Sequence, residues 1–483
     1  MLTAKRKEFI VKILIVFIGF FIMFKPTTDP DFGWHYKYGE YLFNNHHLLR
    51  QNIFSYNFAS YEWANSYWLF EFMLFTTYKF LGPIFAGIFY SVLGTAIITF
   101  IFYKIQAQNI FKIPGLILTF MVLSSFSITI RSFFFSTLFM FILLYVLTFR
   151  KNLIKLLPFM FLVWVNLHAD FTLGLFILGL YTLSEFLPII KSKMFNVKKV
   201  LILLIPSALS FLLTFINPDG YKLLTAILNE TGLLKRAYVM EWQPIGSDSS
   251  IVYAFFIAIF VLTVLFLYYN ARKTPIWILI PMATFFFFAM KSAYFIRPLF
   301  VISIFSTLAF WNLDFSIIQN LLSKKLLVKL EKAGILLSSF ILFVALSVFT
   351  KNVVIASDVR LWSKEAEYPY EAISYIRNAK LAGSMFNTYG WGGYLIWQMP
   401  EHKTFIDGRM TSWRIGKRFI TAEYLEITRE PKKYEKLFDS YKISWVLDKP
   451  DSRLIKFLKT KKWKVLYEDK VSIILQNPIP PNL

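Results

Sequence analysis

The chain has 483 residues, 57% of them hydrophobic, 19% aromatic and 17% charged, with 52 Lys and Arg against 29 Asp and Glu for a formal net charge of +23. Soluble chains run about 45–50% apolar and about 25% charged, so this one is too apolar to be disordered. Having no cysteine, it is neither a disulfide scaffold nor a thiolate metal protein.

A transmembrane helix needs roughly 17–25 predominantly apolar residues. Such runs lie near 8–24, 83–103, 113–130, 132–149, 153–167, 171–190, 199–216, 250–269, 274–290, 298–313 and 334–350, eleven in all. The first has basic residues in front of it, as a signal peptide would. Phe24-Lys25-Pro26 lacks a small-residue cleavage site, however, so a retained helix is expected. The 66–82 run carries Glu71 and Lys79 and follows a polar stretch, which suits a helix lying in the interface or re-entering rather than a full span.

Orientation follows from the basic residues. Lys5, Arg6 and Lys7 open the chain. Every second connection after them is also basic: Lys104 and Lys112, Arg150 to Lys155, Lys191 to Lys199, Arg272 and Lys273, and Lys324 to Lys332. With 66–82 not spanning, all of these fall on the cytoplasmic side, and the tail falls outside. That side carries 19 basic and 4 acidic residues, the outer loops 10 of each, and the tail from 351 carries 23 basic and 15 acidic. Positive charge that first suggests nucleic acid is thus largely an orientation signal.

From about 352 the polar residues return. Ser384–Asn387, Thr404–Ile406, Ser444–Leu447 and Val471–Leu475 are expected as strands, and 370–380, 412–426, 432–441 and 451–460 as helices. The expected architecture is an α-helical polytopic membrane domain over 1–350, with about eleven transmembrane helices and a long first outer loop at 25–82. An extracytoplasmic α/β domain over 351–483 follows it.

The chemically rich segments all fall outside. They are Asp29-Pro30-Asp31-Phe32-Gly33-Trp34-His35, Arg131, Asn166-Leu167-His168-Ala169-Asp170, Asn217-Pro218-Asp219-Gly220, Glu241-Trp242-Gln243-Pro244, and Lys291 with Tyr294 and Arg297. Each has a plainer reading. Asp29 and Asp31 suit a solvated turn, and Asp170 suits a helix cap. Asn217 to Gly220 is a turn sequence. The cations can snorkel to headgroups, and the Trp and Tyr residues of 34–68 suit an interfacial belt. Their joint occurrence on one face is what points to function. The chain has no Walker-type phosphate loop, no Gly-x-Ser-x-Gly elbow and no His-Glu-x-x-His. A carboxylate can act as general base toward a hydroxyl. Arginines at headgroup depth can bind a lipid phosphate through charge-assisted contacts. A phosphate leaves without a dedicated acid, so one base plus phosphate neutralisation suffices for glycosyl transfer.

Asp29 to His35, Asn52-Ile-Phe-Ser-Tyr56 and Trp63 to Glu71 together resemble the first outer loop of a widespread bacterial family of polytopic membrane proteins. Arg131 with Phe133 to Ser136, Trp164 to His168, Asn217 to Gly220, Glu241 to Pro244 and Arg297 to Phe300 extend the match. So do Phe386 to Trp397, Phe405 to Arg409 and Trp445 to Leu447 in the tail. The family looks like a branch of the GT-C superfamily of polyprenyl-phosphate-dependent membrane glycosyltransferases. Gly33 departs from it where an aromatic is common, and Asn52 where an acidic residue is usual.

The resemblance implies an inverting transfer of a sugar from a polyprenyl-phosphate donor to a glycan, lipid or protein hydroxyl, at the outer face of a bacterial inner membrane. Asp31 is the expected base, with Asp29 second and His35 beside them. Arg131, Arg297, Asn166, His168, Asp170, Glu241 and Trp242 are expected to bind substrate. Asp29, Asp31, His168 and Asp170 form a candidate set for Mg²⁺ or Mn²⁺. Rival readings are a transporter or flippase of a lipid-linked saccharide, which would place ionisable groups near the bilayer midplane, and a non-catalytic envelope assembly protein.

Overall fold

The structure, a computed structural model, describes residues 4–59, 61–105, 109–126, 130–191, 196–230, 242–244, 250–310 and 324–478. In chain order the helices are α1 (Ala4–Met23), α2 (Phe32–Asn45), α3 (Trp68–Lys104), α4 (Asn109–Phe126), α5 (Phe133–Phe149), α6 (Leu157–Val165), α7 (Phe171–Lys191), α8 (Val197–Leu213), α9 (Lys222–Glu230), α10 (Ser250–Asn270), α11 (Ile276–Ala289), α12 (Ile296–Phe310) and α13 (Lys324–Ser357). The tail adds α14 (Val359–Glu365), α15 (Tyr370–Ala379), α16 (Gly392–Gln398), α17 (Ile420–Arg429), α18 (Tyr434–Ser440) and α19 (Arg453–Thr460).

The chain divides into two compact units. The first holds 1–26, 84–220 and 241–354; the second holds 27–83, 221–240 and 355–483. By contacts, residues 27–83 of the first outer loop group with the tail.

Among the described residues the first unit is helical, and each of the eleven apolar runs overlaps a helix or, for 83–103, the second part of one. Among the described residues, four helical stretches are long and apolar enough to cross a membrane by length and composition: Trp68–Lys104, Phe171–Lys191, Ala293–Phe310 and Leu336–Ser357. α3 is two helices joined at Gly82, whose φ of 80° and ψ of 170° break the helix before Pro83. The 66–82 run therefore ends at a kink rather than at a loop.

Burial sorts the helices. α5 is apolar on every side and buried nearly throughout, as is α12 from Ile296 to Leu308. A helix hydrophobic all round belongs at the centre of a bundle. α13 differs, exposing Leu336 (72%), Phe340 (63%) and Phe343 (67%) along one stripe. A contiguous apolar stripe is unfavourable in water and suits lipid.

The second unit centres on a four-stranded sheet of β1 (Ser384–Asn387), β4 (Ile443–Asp448), β5 (Lys464–Glu468) and β6 (Ile473–Gln476), in the order β1-β4-β6-β5. β1 and β4 are parallel, with Phe386 opposite Val446, and the other pairs are antiparallel. A small hairpin of β2 (Arg414–Ile415) and β3 (Arg418–Phe419) stands apart. Phe386, Phe405, Trp413, Val446, Leu458 and Leu475 lie in its core, and Tyr56, Tyr61 and Trp63 of the outer loop pack against them. Those loop aromatics are packing groups here, not an interfacial belt.

Two expectations fail locally. Thr404–Ile406 is not a strand: Asn387 occupies its polar groups, accepting from the N–H of Phe405 at 2.7 Å and donating to the carbonyl of Ile406 at 2.9 Å. The helix expected at 412–426 begins only at Ile420, because the hairpin precedes it, turning at Gly416 with a φ of 60°. β5 was not anticipated.

Candidate functional site

In the second unit, Asp29 and Asp31 start α2. The Asp29 carboxylate accepts the N–H of Asp31 at 2.8 Å, forming a short side-chain turn, and the Asp29 carbonyl accepts the N–H of Phe32 at 3.1 Å. Asp29 is buried, whereas Asp31 keeps part of its surface. Trp34, three residues on and so on the same helical face, donates its indole N–H to Asp31 Oδ1 at 2.9 Å. A Cβ at Gly408 would collide with that same Asp31 oxygen. One at Gly33 would collide with the carbonyl of Gly393. Glycine is therefore required where α2 meets α16 and where Asp31 meets the Gly408–Ser412 turn. The departure of Gly33 from the family pattern has a steric reason in this chain.

His35 is buried. Its Nδ1 lies 3.2 Å from Glu71 Oε1, and Asn65 donates to the other Glu71 oxygen at 2.6 Å. This ties α2 to the first part of α3. Behind Asp31 lies a second buried pair, in which Arg409 grips Asp407 through two N–H groups at 2.7 Å each. Arg409 also donates to the Tyr38 hydroxyl at 3.0 Å and to Asn52 Oδ1 at 3.2 Å. Burial works against charge on Arg409, and the Asp407 carboxylate outweighs it, so the pKa is raised. Burial likewise pushes the Tyr38 hydroxyl up to about 12, with Arg409 opposing. Asn52, standing where the family pattern has an acidic residue, is the neutral acceptor that lets Asp407 alone balance Arg409.

In the first unit, His168, Asp170, Arg131 and Arg297 come together. Trp164 donates to Ser136 at 2.8 Å, the Ser136 hydroxyl lies 3.0 Å from His168 Nδ1, and that nitrogen lies 3.4 Å from Asp170 Oδ2. Tyr294 donates to the other Asp170 oxygen. Burial alone would raise the Asp170 carboxyl, but His168, Arg297 and Tyr294 outweigh it and hold the pKa at about 2. Arg297 is 8% exposed, so it does not snorkel. Its guanidinium lies 3.8 Å from the Phe133 ring centre, and that of Arg131 lies 5.8 Å from the same ring. Arg297 Nη1 is buried with no hydrogen-bond partner among the described residues. Asp170 and Arg297 line a narrow pocket with Ser136, Thr137 and Met140.

The remaining expected residues fall as follows. Trp242 stacks on Tyr294, ring centres 4.5 Å apart. Asn166 spends its amide on the carbonyls of Leu162 and Ile216. Asn217 to Gly220 forms the turn its sequence suggests, with Asn217 accepting from the N–H of Asp219 at 2.9 Å. Glu241 lies outside the described residues. Tyr294 was named beside Arg297, and Ser136 and Gly408 within the family match, but none of the three was given a role at the site.

The donor set does not fit the candidate Mg²⁺ or Mn²⁺ centre. Among the described residues no three His, Asp or Glu side chains group as a metal ion requires. Asp29 caps Asp31, and Asp170 is engaged by His168 and Tyr294.

No protein-family model matches the chain, and no curated protein does. Solved structures do. The apo oligosaccharyltransferase of Archaeoglobus fulgidus is similar with a TM-score of 0.54 and 11% identity, over 92% of this chain and 70% of that one. The apo form of ArnT from Cupriavidus metallidurans is similar with a TM-score of 0.51 and 12% identity, over 98% of both chains. The Archaeoglobus enzyme tethered with an acceptor peptide containing the NVT sequon matches with a TM-score of 0.52 and 11% identity, over 92% of this chain and 69% of that one. At such identities the likeness is one of fold.

Proposed function

We propose that the protein is a membrane glycosyltransferase that moves a sugar from a polyprenyl-phosphate donor to an acceptor hydroxyl at the outer face of a bacterial inner membrane. The reading has eleven spans, the N-terminus inside and the tail outside. The observation that carries it is the arginine pair around Phe133. Two guanidiniums share one ring, and one of them keeps a buried N–H unused. Such a pair calls for an anion beyond Asp170, and a planar guanidinium suits phosphate. The fold supports the same class of chemistry.

In this reading Asp31 takes the proton of the acceptor hydroxyl. The hydroxyl oxygen bonds to the anomeric carbon as the bond from that carbon to the phosphate oxygen breaks, and the electron pair leaves with the phosphate. The configuration inverts. Arg131 and Arg297 neutralise the departing phosphate, an electrostatic effect that grows in a dry site. Asp29 and His35 hold the start of α2, while His168, Asp170 and Trp242 hold Arg297 and Tyr294.

The experiment is sugar transfer from a polyprenyl-phosphate donor by purified protein in lipid vesicles. Asp31→Asn abolishes transfer and leaves the melting curve unchanged. Full transfer by that variant would refute the base, and sugar-lipid flux across the vesicle without transfer would side with a transporter.

A further inference from the structure

Glu71, on the first part of α3, takes no part in the proposed transfer, yet it is 2% exposed. A carboxyl group so far from water is costly unless it is bonded. Asn65 accepts the N–H of Tyr67 through its carbonyl oxygen at 2.8 Å, so its amide group is left to donate to Glu71 Oε2 at 2.6 Å. The other oxygen, Oε1, lies 3.2 Å from His35 Nδ1. One proton, carried by either atom, bonds the imidazole to the carboxyl. The His35 ring in turn lies along the Trp34 indole, centres 3.5 Å apart and tilted by 34°. That indole donates to Asp31 Oδ1 at 2.9 Å. A continuous chain of contacts therefore runs from Asn65 and Glu71 to Asp31, whose side chain shares one face of α2 with those of Trp34 and His35.

The far end of this chain is fixed. A Cβ at Gly39 would collide with the Glu71 carbonyl, so α2 and α3 meet backbone to backbone there. Tyr67 and Phe70 stand edge-on to the His35 ring at 5.5 and 5.1 Å and confine it. Trp63 and Tyr67 also meet the indole edge-on, at 5.5 and 6.3 Å, whereas His35 covers its face.

We infer that Glu71 and Asn65 are positioning residues for Asp31: they clamp His35 against Trp34 and so keep the indole N–H on the Asp31 carboxylate. The inference rests on the reading of Asp31 as the base. A hydrogen bond to the ionised carboxylate favours that form, so the Trp34 bond lowers the proton affinity of Asp31. The other charged groups around the chain are Asp29, whose carboxylate accepts the Asp31 N–H, and the Asp407–Arg409 pair. Both stay in place when Glu71 is changed.

The test is the pH profile of sugar transfer in lipid vesicles, beside the indole spectrum of the same purified protein. Glu71→Leu lowers kcat about 10-fold with KM little changed. It moves the acid limb of kcat/KM to higher pH by about 0.5–1, the direction Trp34→Phe also takes. In the Trp34→Phe background Glu71→Leu moves the limb no further, because the bond it acts through is already gone. Glu71→Gln can still bond both Asn65 and His35, and its kcat stays within about 3-fold of wild type. Asn65→Ala is a milder cut and moves the limb in the same direction. In spectra of 15N-tryptophan protein the Trp34 indole N–H, assigned by its loss in Trp34→Phe, shifts upfield in Glu71→Leu and stays in place in Glu71→Gln. A folded Glu71→Leu or Asn65→Ala protein with wild-type kcat, acid limb and indole resonance would overturn the positioning role and leave Asp31 untouched. Full transfer by Asp31→Asn would instead remove the base, and the indole resonance, which needs no transfer, tells the two failures apart.

Discussion

Asp31 is held from two sides: the Trp34 indole bonds one oxygen, and the backbone at Gly408 closes on that same oxygen. Gly408→Ala forces the carboxylate to move. Misplacement by about 1 Å costs on the order of 10²-fold in rate, so transfer falls by about that factor in the vesicle assay while the melting temperature shifts little. Trp34→Phe removes the bond but keeps the ring, and a smaller loss is expected. The bond to Trp34 was readable in the i, i+3 spacing; the approach of Gly408 was not, because only the fold brings that distant segment to α2. Asp170 supports a second expectation at this scale. Its pKa of about 2 lies below the usual carboxylate value near 3.9, so its ionised form favours the folded state. That stabilisation, about 2 kcal/mol, is fully present above about pH 4 and is lost as pH falls from about 4 to about 2. Acid unfolding followed by tryptophan fluorescence checks it: Asp170→Asn flattens the profile in that window.

Between elements, the Asp407–Arg409 pair does most of the joining in the second unit. Neither side chain has any solvent exposure, and Arg409 links the Gly408–Ser412 turn to α2 through Tyr38 and to the outer loop through Asn52. Removing one partner of a buried pair strands the other charge, at about 3–5 kcal/mol. Asp407→Ala is therefore expected to lower the urea midpoint of tail unfolding by that equivalent, whereas Asp407→Ala with Arg409→Met recovers part of it. Asp407, Gly408 and Arg409 are adjacent in the chain, so their turn and ion pair are local. The central strand Ile443–Asp448 was legible because an apolar run buried on both faces cannot be mistaken for surface. Thr404–Ile406 has similar residues but meets the Asn387 side chain instead of a strand, and nothing in its own sequence says so. The hairpin at 414–419 hid inside a run with helical spacing, since a short polar turn contributes little periodicity.

For the whole molecule, apolar runs and their basic connections define an orientation that can be measured directly. The chain has no cysteine, so single introduced cysteines report without background. Lys470→Cys in the tail is expected to react with a membrane-impermeant maleimide added to intact cells, and Arg272→Cys only after lysis. The reverse pattern would invert the topology and with it the outer-face reading.

The sequence by itself determined where the apolar helices lie and where the polar motifs between them begin, because hydrophobic length and turn chemistry are local properties. It did not determine that the first outer loop joins the tail, that Arg131 and Arg297 share the Phe133 ring, or that Asn52 accepts from Arg409. Those depend on close packing between residues far apart in the chain, which only the tertiary structure decides. The net charge of +23 belongs to the first kind of knowledge: it gives the orientation that the maleimide experiment tests. The few buried charges that carry the proposed chemistry belong to the second.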